Sequence, residues 1–149
     1  MDPLTGKVHQ IHDNVPGRLI TLSVKHYENH IYVGLFKQGI NYISIPGEHL
    51  KYISDKELNI EEGSVYSFLK DSKGRTWIGP GWGLYVSQPK ERKFRRVEEV
   101  GYNWVFDIME SKDGIIWLAT MGNGVWKCDP KTNSYKNYYY KEGVDNSLS

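Results

Sequence analysis

The stretch Ser64–Lys70, with the sequence SVYSFLK, decides the fold because it recurs further along the chain. It realigns with Trp104–Glu110, which reads WVFDIME, at an offset of 104 − 64 = 40 residues. The same offset pairs Trp77-Ile78-Gly79 with Trp117-Leu118-Ala119, and an earlier copy runs from Leu19 to Tyr52. Self-similarity at a fixed period of this length predicts a protein built from structural repeats.

Each copy contains four short segments rich in β-branched and aromatic residues, and turn-forming residues separate them. This is the pattern of strands joined by hairpins. Gly74 and Gly114, with Asn29 in the first copy, stand where the first hairpin needs a positive φ angle. Pro89 and Pro130 stand in the last hairpin of their copies, at the turn position whose φ angle proline already satisfies.

A repeat of about 40 to 45 residues with four strands has the length of one β-propeller blade. The sequence therefore predicts an all-β segment of three four-stranded antiparallel blades, at about 18–53, 64–97 and 104–140. It also predicts a partial blade at 1–11 and, at 141–149, a lead-in to a further blade.

One aromatic residue occupies the same position in each copy, and a small residue follows two positions later. We expect the aromatic side chain to pack between neighbouring blades. The small residue suits the crowded region where the sheets converge. These pairs are Tyr32 and Gly34, Trp77 and Gly79, and Trp117 and Ala119.

Composition excludes several classes of function. Nineteen basic against eighteen acidic residues give a formal charge of +1, so no strong field favours nucleic acid. No apolar run approaches the length of a membrane-spanning helix, and the first residues lack the apolar core of a signal peptide. We therefore expect no membrane contact by this segment, and we expect any export signal or anchor to lie outside it.

The residues that could carry chemistry form no recognisable reactive arrangement. Cys128 is the single cysteine, which excludes an internal disulfide, and its strand-like surroundings predict a packed thiol. His9 and His12 are three apart, so on a strand they would point to opposite faces rather than share a metal. The glycine-rich run Gly79–Gly83 lacks the lysine and the following helix of a phosphate loop. We expect no catalytic residue, no metal and no cofactor.

The stretch Val65–Gly79, followed by Gly83-Leu84-Tyr85, resembles the two-component regulator propeller repeat. Its counterpart Asp113–Thr120 and the tail Asp145–Ser149 are similar to the same family. The resemblance implies the extracytoplasmic, periplasmic sensor half of a membrane-anchored hybrid histidine kinase, often one that responds to oligosaccharides. Nothing in this segment matches the kinase half, so the segment itself is expected not to be an enzyme.

Loops on one propeller face are the expected place for recognition, namely those joining the second to the third strand and the fourth strand to the next blade. Exposed aromatic side chains beside amide and charged groups suit a sugar, whose C–H face stacks while its hydroxyls form hydrogen bonds. Trp82 and Tyr102 are the strongest candidates, although Trp82 could instead shield the end of the sheet. The full set of ligand-binding candidates is Trp82, Tyr102, Asn103, Asn123, Lys37 and Gln38.

Two functions remain open: a ligand-sensing propeller segment, and a protein-interaction scaffold with no small ligand. An enzyme would require convergent carboxylates, and the inner strands offer only Asp107 with Glu110 nearby. Three blades do not close a ring, so the outer faces of the first and third blades should be apolar and open. We expect those faces to be covered either by self-association between copies or by the rest of a propeller.

Overall fold

A computed structural model describes residues 21–36, 39–44, 49–61, 63–144 and 147–148 of the 149-residue chain. The predicted partial blade at 1–11, which contains His9, lies outside the described residues, and so does His12. The same holds for the candidate site residues Lys37 and Gln38.

The described residues form three antiparallel sheets of four strands each, and consecutive strands are neighbours in every sheet. Sheet 1 contains β1 (Thr21–Tyr27), β2 (His30–Leu35), β3 (Ile40–Ser44) and β4 (His49–Ile53). Sheet 2 contains β5 (Val65–Lys70), β6 (Thr76–Pro80), β7 (Tyr85–Ser87) and β8 (Arg95–Arg96). Sheet 3 contains β9 (Val105–Glu110), β10 (Ile116–Thr120), β11 (Val125–Asp129) and β12 (Ser134–Tyr138). The predicted all-β fold is confirmed.

The hairpins between first and second strands use the predicted glycines. Gly74 and Gly114 have φ angles of 79° and 82° and donate backbone hydrogen bonds to Asp71 and Ser111. In sheet 1 the prediction was wrong by one residue, because Glu28 rather than Asn29 has the positive φ angle, 52°. The position in the turn therefore decides which residue takes the positive φ angle, even though asparagine adopts that angle more readily than glutamate.

A short helix, α1 (Asp55–Leu58), connects sheet 1 to sheet 2. Ser54 caps it: the hydroxyl accepts a hydrogen bond from the Glu57 backbone, and the Glu57 side chain accepts one from the Ser54 backbone. Leu58 is buried, and its carbonyl accepts a hydrogen bond from the Phe94 backbone at 2.7 Å. The helix thereby fixes the connector against β8.

The three sheets pack face to face, and their first strands lie closest together. Ser67 Oγ on β5 donates a hydrogen bond to the Val105 carbonyl on β9 at 2.8 Å. Ser23 Oγ on β1 makes the equivalent bond to the Val65 carbonyl on β5 at 3.3 Å. A Cβ atom at Gly79 would lie 2.6 Å from the Val105 carbonyl oxygen, so this close approach requires glycine.

The aromatic residue common to the three repeats packs differently in each sheet. The Tyr32 ring stacks on Phe68 of sheet 2, with ring centroids 4.6 Å apart. Trp77 is buried among apolar side chains of sheets 2 and 3, including Ile108. Trp117 lies on the outward face of sheet 3 and is only half-buried, because no further sheet covers it in the described part of the chain. The prediction of a ring buried between two sheets holds for Trp77 and not for Trp117.

Candidate functional site

Three backbone hydrogen bonds bring loops and connectors together at one edge of sheets 2 and 3. Gly81 N–H donates to the Ser64 carbonyl, Gly83 N–H to the Asn103 carbonyl, and Met121 N–H to the Trp104 carbonyl, at 3.0 to 3.1 Å. They join the loops between second and third strands, 81–84 and 121–124, to the segments that lead into β5 and β9. We call this edge, formed by residues 63–64, 81–84, 97–104 and 121–124, the loop face.

Four aromatic side chains meet at the loop face, and we call them the aromatic cluster: Tyr66, Trp82, Trp104 and Phe106. Tyr66 and Trp104 are stacked, with centroids 5.8 Å apart and an angle of 18° between the rings. Trp82 stands edge-on to Trp104 at 6.4 Å, and Phe106 edge-on to Tyr66 at 5.2 Å. Trp82 and Phe106 are 47% and 44% exposed, so the cluster presents aromatic surface to solvent.

A cavity of about 510 Å³ opens beside the cluster. Its lining contains no side chain that is charged at neutral pH. Two glycines form part of its wall: Cβ atoms at Gly63 and Gly81 would lie in van der Waals contact with the rings of Trp82 and Tyr66, each at 3.6 Å. The lining residues are Phe36, Gly63, Ser64, Tyr66, Gly81, Trp82 and Trp104.

Tyr102, the second strong candidate, lines another cavity with different chemistry. It is 67% exposed, and the Arg96 guanidinium lies over its ring, 3.5 Å from the centroid. Arg96 also forms ion pairs with Glu61 at 3.4 Å and Glu98 at 3.7 Å. The ring is thereby occupied by an internal cation, and Tyr102 does not line the cavity beside Trp82.

Asn103 and Asn123 form hydrogen bonds inside the loop face. Asn123 Nδ2 donates to Asn103 Oδ1 at 3.0 Å, and Asn103 Nδ2 donates to the Val100 carbonyl. Asn137 Nδ2 donates to the Asn123 carbonyl at 2.8 Å. The two predicted amides therefore hold the 121–124 loop against the lead-in to β9, which places Trp104.

Sequence reasoning missed Tyr66, Trp104 and Phe106. They lie at the start of β5 and at or just before the start of β9, at positions where the repeat pattern indicates ordinary strand residues. The available signal was the offset of 40 residues between Tyr66 and Phe106, which places two aromatic rings at equivalent points of adjacent inner strands.

Among the described residues, the side chains considered for catalysis or metal binding do not form a common site. Cys128 is buried, and burial raises the pKa of its thiol to about 12, in agreement with the predicted packed thiol. Asp107 is exposed, whereas the Glu110 carboxylate accepts two hydrogen bonds from Ser72 on sheet 2. Within the described ranges, no three His, Cys, Asp or Glu side chains are grouped so as to hold a metal ion. Those ranges also contain no helix with the length and apolar character needed to cross a membrane.

Comparison with known proteins places this geometry in context. Residues 100–122, which include β9 and β10, match the family model described as two component regulator propeller. A search of curated proteins gives no match. The family match therefore falls on the repeat whose lead-in carries Tyr102, Asn103 and Trp104.

Solved structures resemble a larger part of the chain. The extracellular domain of a B. thetaiotaomicron protein described as hybrid two component system BT3049 is 27% identical, with a TM-score of 0.66 over 87% of this chain and 16% of that one. The extracellular domain of BT4673 from the same organism, described as a one component system, is 16% identical, with a TM-score of 0.70 over 87% and 18%. PorZ, a surface component of the type-IX secretion system of Porphyromonas gingivalis, is 15% identical, with a TM-score of 0.61 over 80% and 21%.

The chain spans about a fifth or less of these structures, so it corresponds to a few blades of much longer proteins. The resemblance predicted from the sequence is confirmed: the three sheets are propeller blades, and residues 100–122, which lead into and form the first half of the third, match the two component regulator propeller model.

Proposed function

We propose that the chain is the extracytoplasmic, periplasmic sensing segment of a two-component signal-transduction protein, and that its loop face binds a neutral oligosaccharide. The family match and the extracellular location of the BT3049 domain support the sensing role and the compartment. The observation that carries the ligand class is the uncharged aromatic cavity beside Trp82 and Trp104. Signal output, including any histidine kinase activity, would belong to a part of the polypeptide other than this segment.

A sugar ring suits this cavity for a physical reason. Its C–H face packs on aromatic rings, and the exposed Trp82 and the half-buried Trp104 present two rings at nearly a right angle, 86°. Ser64, Gly63 and Gly81 line the remaining wall, which is therefore less apolar than the aromatic side. A charged sugar would enter without a counter-ion in the lining, which costs desolvation energy.

The segment itself is proposed to be non-catalytic. Asp107 and Glu110 stand three residues apart on β9, and Glu110 is already bound to Ser72. Neither carboxylate lines the aromatic cavity, so no acid and base converge on a ligand bound there.

Calorimetry against a panel of neutral and acidic oligosaccharides tests the proposal. We expect a neutral member to bind and Trp82→Ala to weaken binding about 5- to 30-fold, because the loss of one stacked ring removes about 1 to 2 kcal/mol. Tyr102→Ala is the matched control: it removes an exposed aromatic side chain from the same face but outside the cavity, and binding should change less than twofold. Equal losses in the two variants would move the site toward Tyr102, and unchanged affinity in the folded Trp82→Ala, Tyr102→Ala double variant would remove both residues from it.

The alternative function is a protein-interaction scaffold without a small ligand. Exposed apolar residues outside the loop face favour it, in particular Met109 at 55% exposure on the outward face of sheet 3. Failure of every oligosaccharide to bind, together with protein binding that survives Trp82→Ala, would support the scaffold and contradict the sensor proposal.

A further inference from the structure

The outward face of sheet 3 differs in chemistry from the two sheet faces that are already covered. The strand register places its side chains in two rows across the sheet. The first row is Met109, Trp117, Lys127 and Lys136, and the second is Asp107, Ala119, Val125 and Tyr138. The equivalent first row of sheet 2, which packs against sheet 3, is Leu69, Trp77, Val86 and Arg95.

The middle of this face is cationic, whereas the equivalent part of sheet 2 is apolar. Val86 is buried in the cluster between sheets 2 and 3, whereas Lys127 occupies the same position on sheet 3. Lys127 is directly opposite Lys136 on the neighbouring strand, and like charges in this arrangement are destabilising. Neither lysine forms an ion pair with a described residue, and their ammonium groups lie over the rings of Trp117 and Tyr138 at 5.9 and 4.7 Å. A sheet that covers this face as sheet 3 covers sheet 2 would bury Lys127, the counterpart of the buried Val86, and must neutralise its ammonium group.

The inner end of the face has changed as well. Ser67, which donates a hydrogen bond to the next sheet, is replaced by Asp107, and Gly79, which leaves room for that carbonyl, is replaced by Ala119. An ionised carboxylate accepts hydrogen bonds and cannot donate one. A backbone carbonyl that approached sheet 3 as the Val105 carbonyl approaches sheet 2 would therefore meet the Ala119 methyl group. It would also face the Asp107 carboxylate, whose oxygens carry a partial charge of the same sign.

Sheet 1 of a second copy does not satisfy these requirements. By register, Thr21 is the counterpart of Val65 and Val105, so sheet 1 would present a backbone carbonyl to Asp107. Its described strands carry no Asp or Glu that could neutralise Lys127. Head-to-tail self-association is thus disfavoured, and a different sheet is required.

We propose that the outward face of sheet 3 docks a fourth propeller blade that places a carboxylate opposite Lys127 and a hydrogen-bond donor opposite Asp107. Lys127 makes the face selective, because an apolar blade would bury its charge without compensation, whereas Lys136 corresponds to Arg95, which stays exposed on the covered face of sheet 2. The face thus specifies its neighbour by charge, whereas sheets 2 and 3 recognise each other by apolar packing around Trp77.

The argument about Asp107 and Ala119 is tested with an extended chain, in which a second copy of residues 104–140 follows Ser149. The appended copy serves as a fourth blade of known sequence. Cys128 lies in the buried cluster with Val86, so in the appended copy Cys128→Asp places a carboxylate near Lys127. This extended chain still presents a carbonyl to Asp107. We expect the appended blade to dock only when the acceptor face carries Asp107→Ser and Ala119→Gly. In that variant the amides of the appended blade should be protected from hydrogen exchange at least tenfold more than on the unchanged face. Equal protection on the unchanged face would overturn the argument about Asp107 and Ala119.

The charge argument is tested in the docked Asp107→Ser, Ala119→Gly background with four proteins. They combine Lys127 or Lys127→Val on the acceptor face with Cys128→Asp or Cys128→Asn in the appended copy. With Lys127, the Asp version should unfold with an equilibrium constant about tenfold lower than the Asn version, as expected of a charge-assisted hydrogen bond. With Lys127→Val, the order should reverse, because the carboxylate is then buried without a partner.

If the unfolding equilibrium constants of the Asp and Asn versions differ by the same factor with Lys127 and with Lys127→Val, the proposed pairing of a carboxylate with Lys127 is wrong. Docking in none of these proteins would overturn the proposal as a whole. Sedimentation of the unextended chain addresses the other occupant: a concentration-dependent dimer that Lys127→Glu abolishes would assign this face to a second copy instead.

Discussion

Trp77 Nε1 donates a hydrogen bond to Asp71 Oδ2 at 2.8 Å, which connects the last residue before the β5–β6 turn to the central ring of the interface between sheets 2 and 3. The same carboxylate accepts hydrogen bonds from Arg75 Nε at 2.6 Å and from the backbone N–H groups of Lys73 and Arg75. Its side chain is fully buried. One acidic residue thereby fixes the turn, the arginine and the indole together.

Replacing Asp71 by Ala should therefore destabilise the chain by about 3 kcal/mol or more, because it leaves buried donors and a partly buried cation without their acceptor. Urea unfolding followed by tryptophan fluorescence measures the effect. Ser111→Ala is the matched control at the equivalent position of sheet 3, where we expect a loss of about 1 kcal/mol. Similar losses at the two positions would contradict the special role of the carboxylate.

Replacing the two repeat tryptophans should have unequal effects. Trp77→Ala empties a buried site between two sheets, so we expect a loss of about 3 to 5 kcal/mol in the free energy of unfolding. The sequence predicts the same loss for Trp117→Ala, but Trp117 is half-buried on an open face, which lowers the expectation to about 1 to 2 kcal/mol. Equilibrium denaturation of the two variants compares them directly. A loss at Trp117 as large as that at Trp77 would mean that the outward face of sheet 3 is covered in solution.

The repeat made most of the fold predictable, because each strand and turn recurs with the same type of residue. Gly74, Gly114 and Trp77 could be placed from the sequence, since their roles depend on local turn geometry and on the repeat itself. The helix α1 could not be placed, because four residues are too few to produce a helical pattern.

The candidate site was predictable only in part. Trp82 stands in a loop, where an aromatic residue is conspicuous, and it does line the aromatic cavity. In the sequence, Trp104 looks like an ordinary residue at the start of a strand. In the structure, its carbonyl accepts a hydrogen bond from Met121 N–H and its ring lies beside Trp82. Tyr102 resembled a ligand-binding ring, but the Arg96 guanidinium, six residues earlier in the chain, lies over one face of it. The sequence does not show that the segment between them folds back in this way.

Adding a single methyl group at Gly79 should disrupt the interface between sheets 2 and 3. The new Cβ atom would lie 2.6 Å from the Val105 carbonyl oxygen, which belongs to the backbone and cannot rotate away. We expect Gly79→Ala to cost about 1 to 3 kcal/mol of stability. Gly63→Ala is the control, because its nearest contact is an ordinary 3.6 Å and its effect should stay within about 0.5 kcal/mol. Thermal unfolding of both variants tests the difference, and a neutral Gly79→Ala would show that the sheets can move apart without cost.

Raising the pH should destabilise the chain through Cys128. Burial raises the pKa of this thiol from 9.0 to about 12, so the folded state holds its proton where the unfolded state has lost it. The contribution to stability is complete below pH 9 and is lost progressively as the pH rises from about 9 to about 12, at about 1 kcal/mol per pH unit.

Cys128→Val keeps the site filled without an ionisable group, and urea unfolding of both proteins at pH 8 and pH 10.5 isolates the effect of the thiol. The pKa values of Tyr52, Tyr85 and Tyr135 are also raised, chiefly by burial. Tyr52 and Tyr85 titrate in both proteins and cancel in the comparison, whereas the pKa of Tyr135 is raised in part by Cys128, so that part belongs to the effect of the thiol. We expect the wild-type chain to lose more stability than the variant between the two pH values, and iodoacetamide at pH 8 to label Cys128 only after unfolding. Parallel pH profiles, or rapid labelling of the folded chain, would mean that the thiol reaches solvent and that sheets 2 and 3 separate around it.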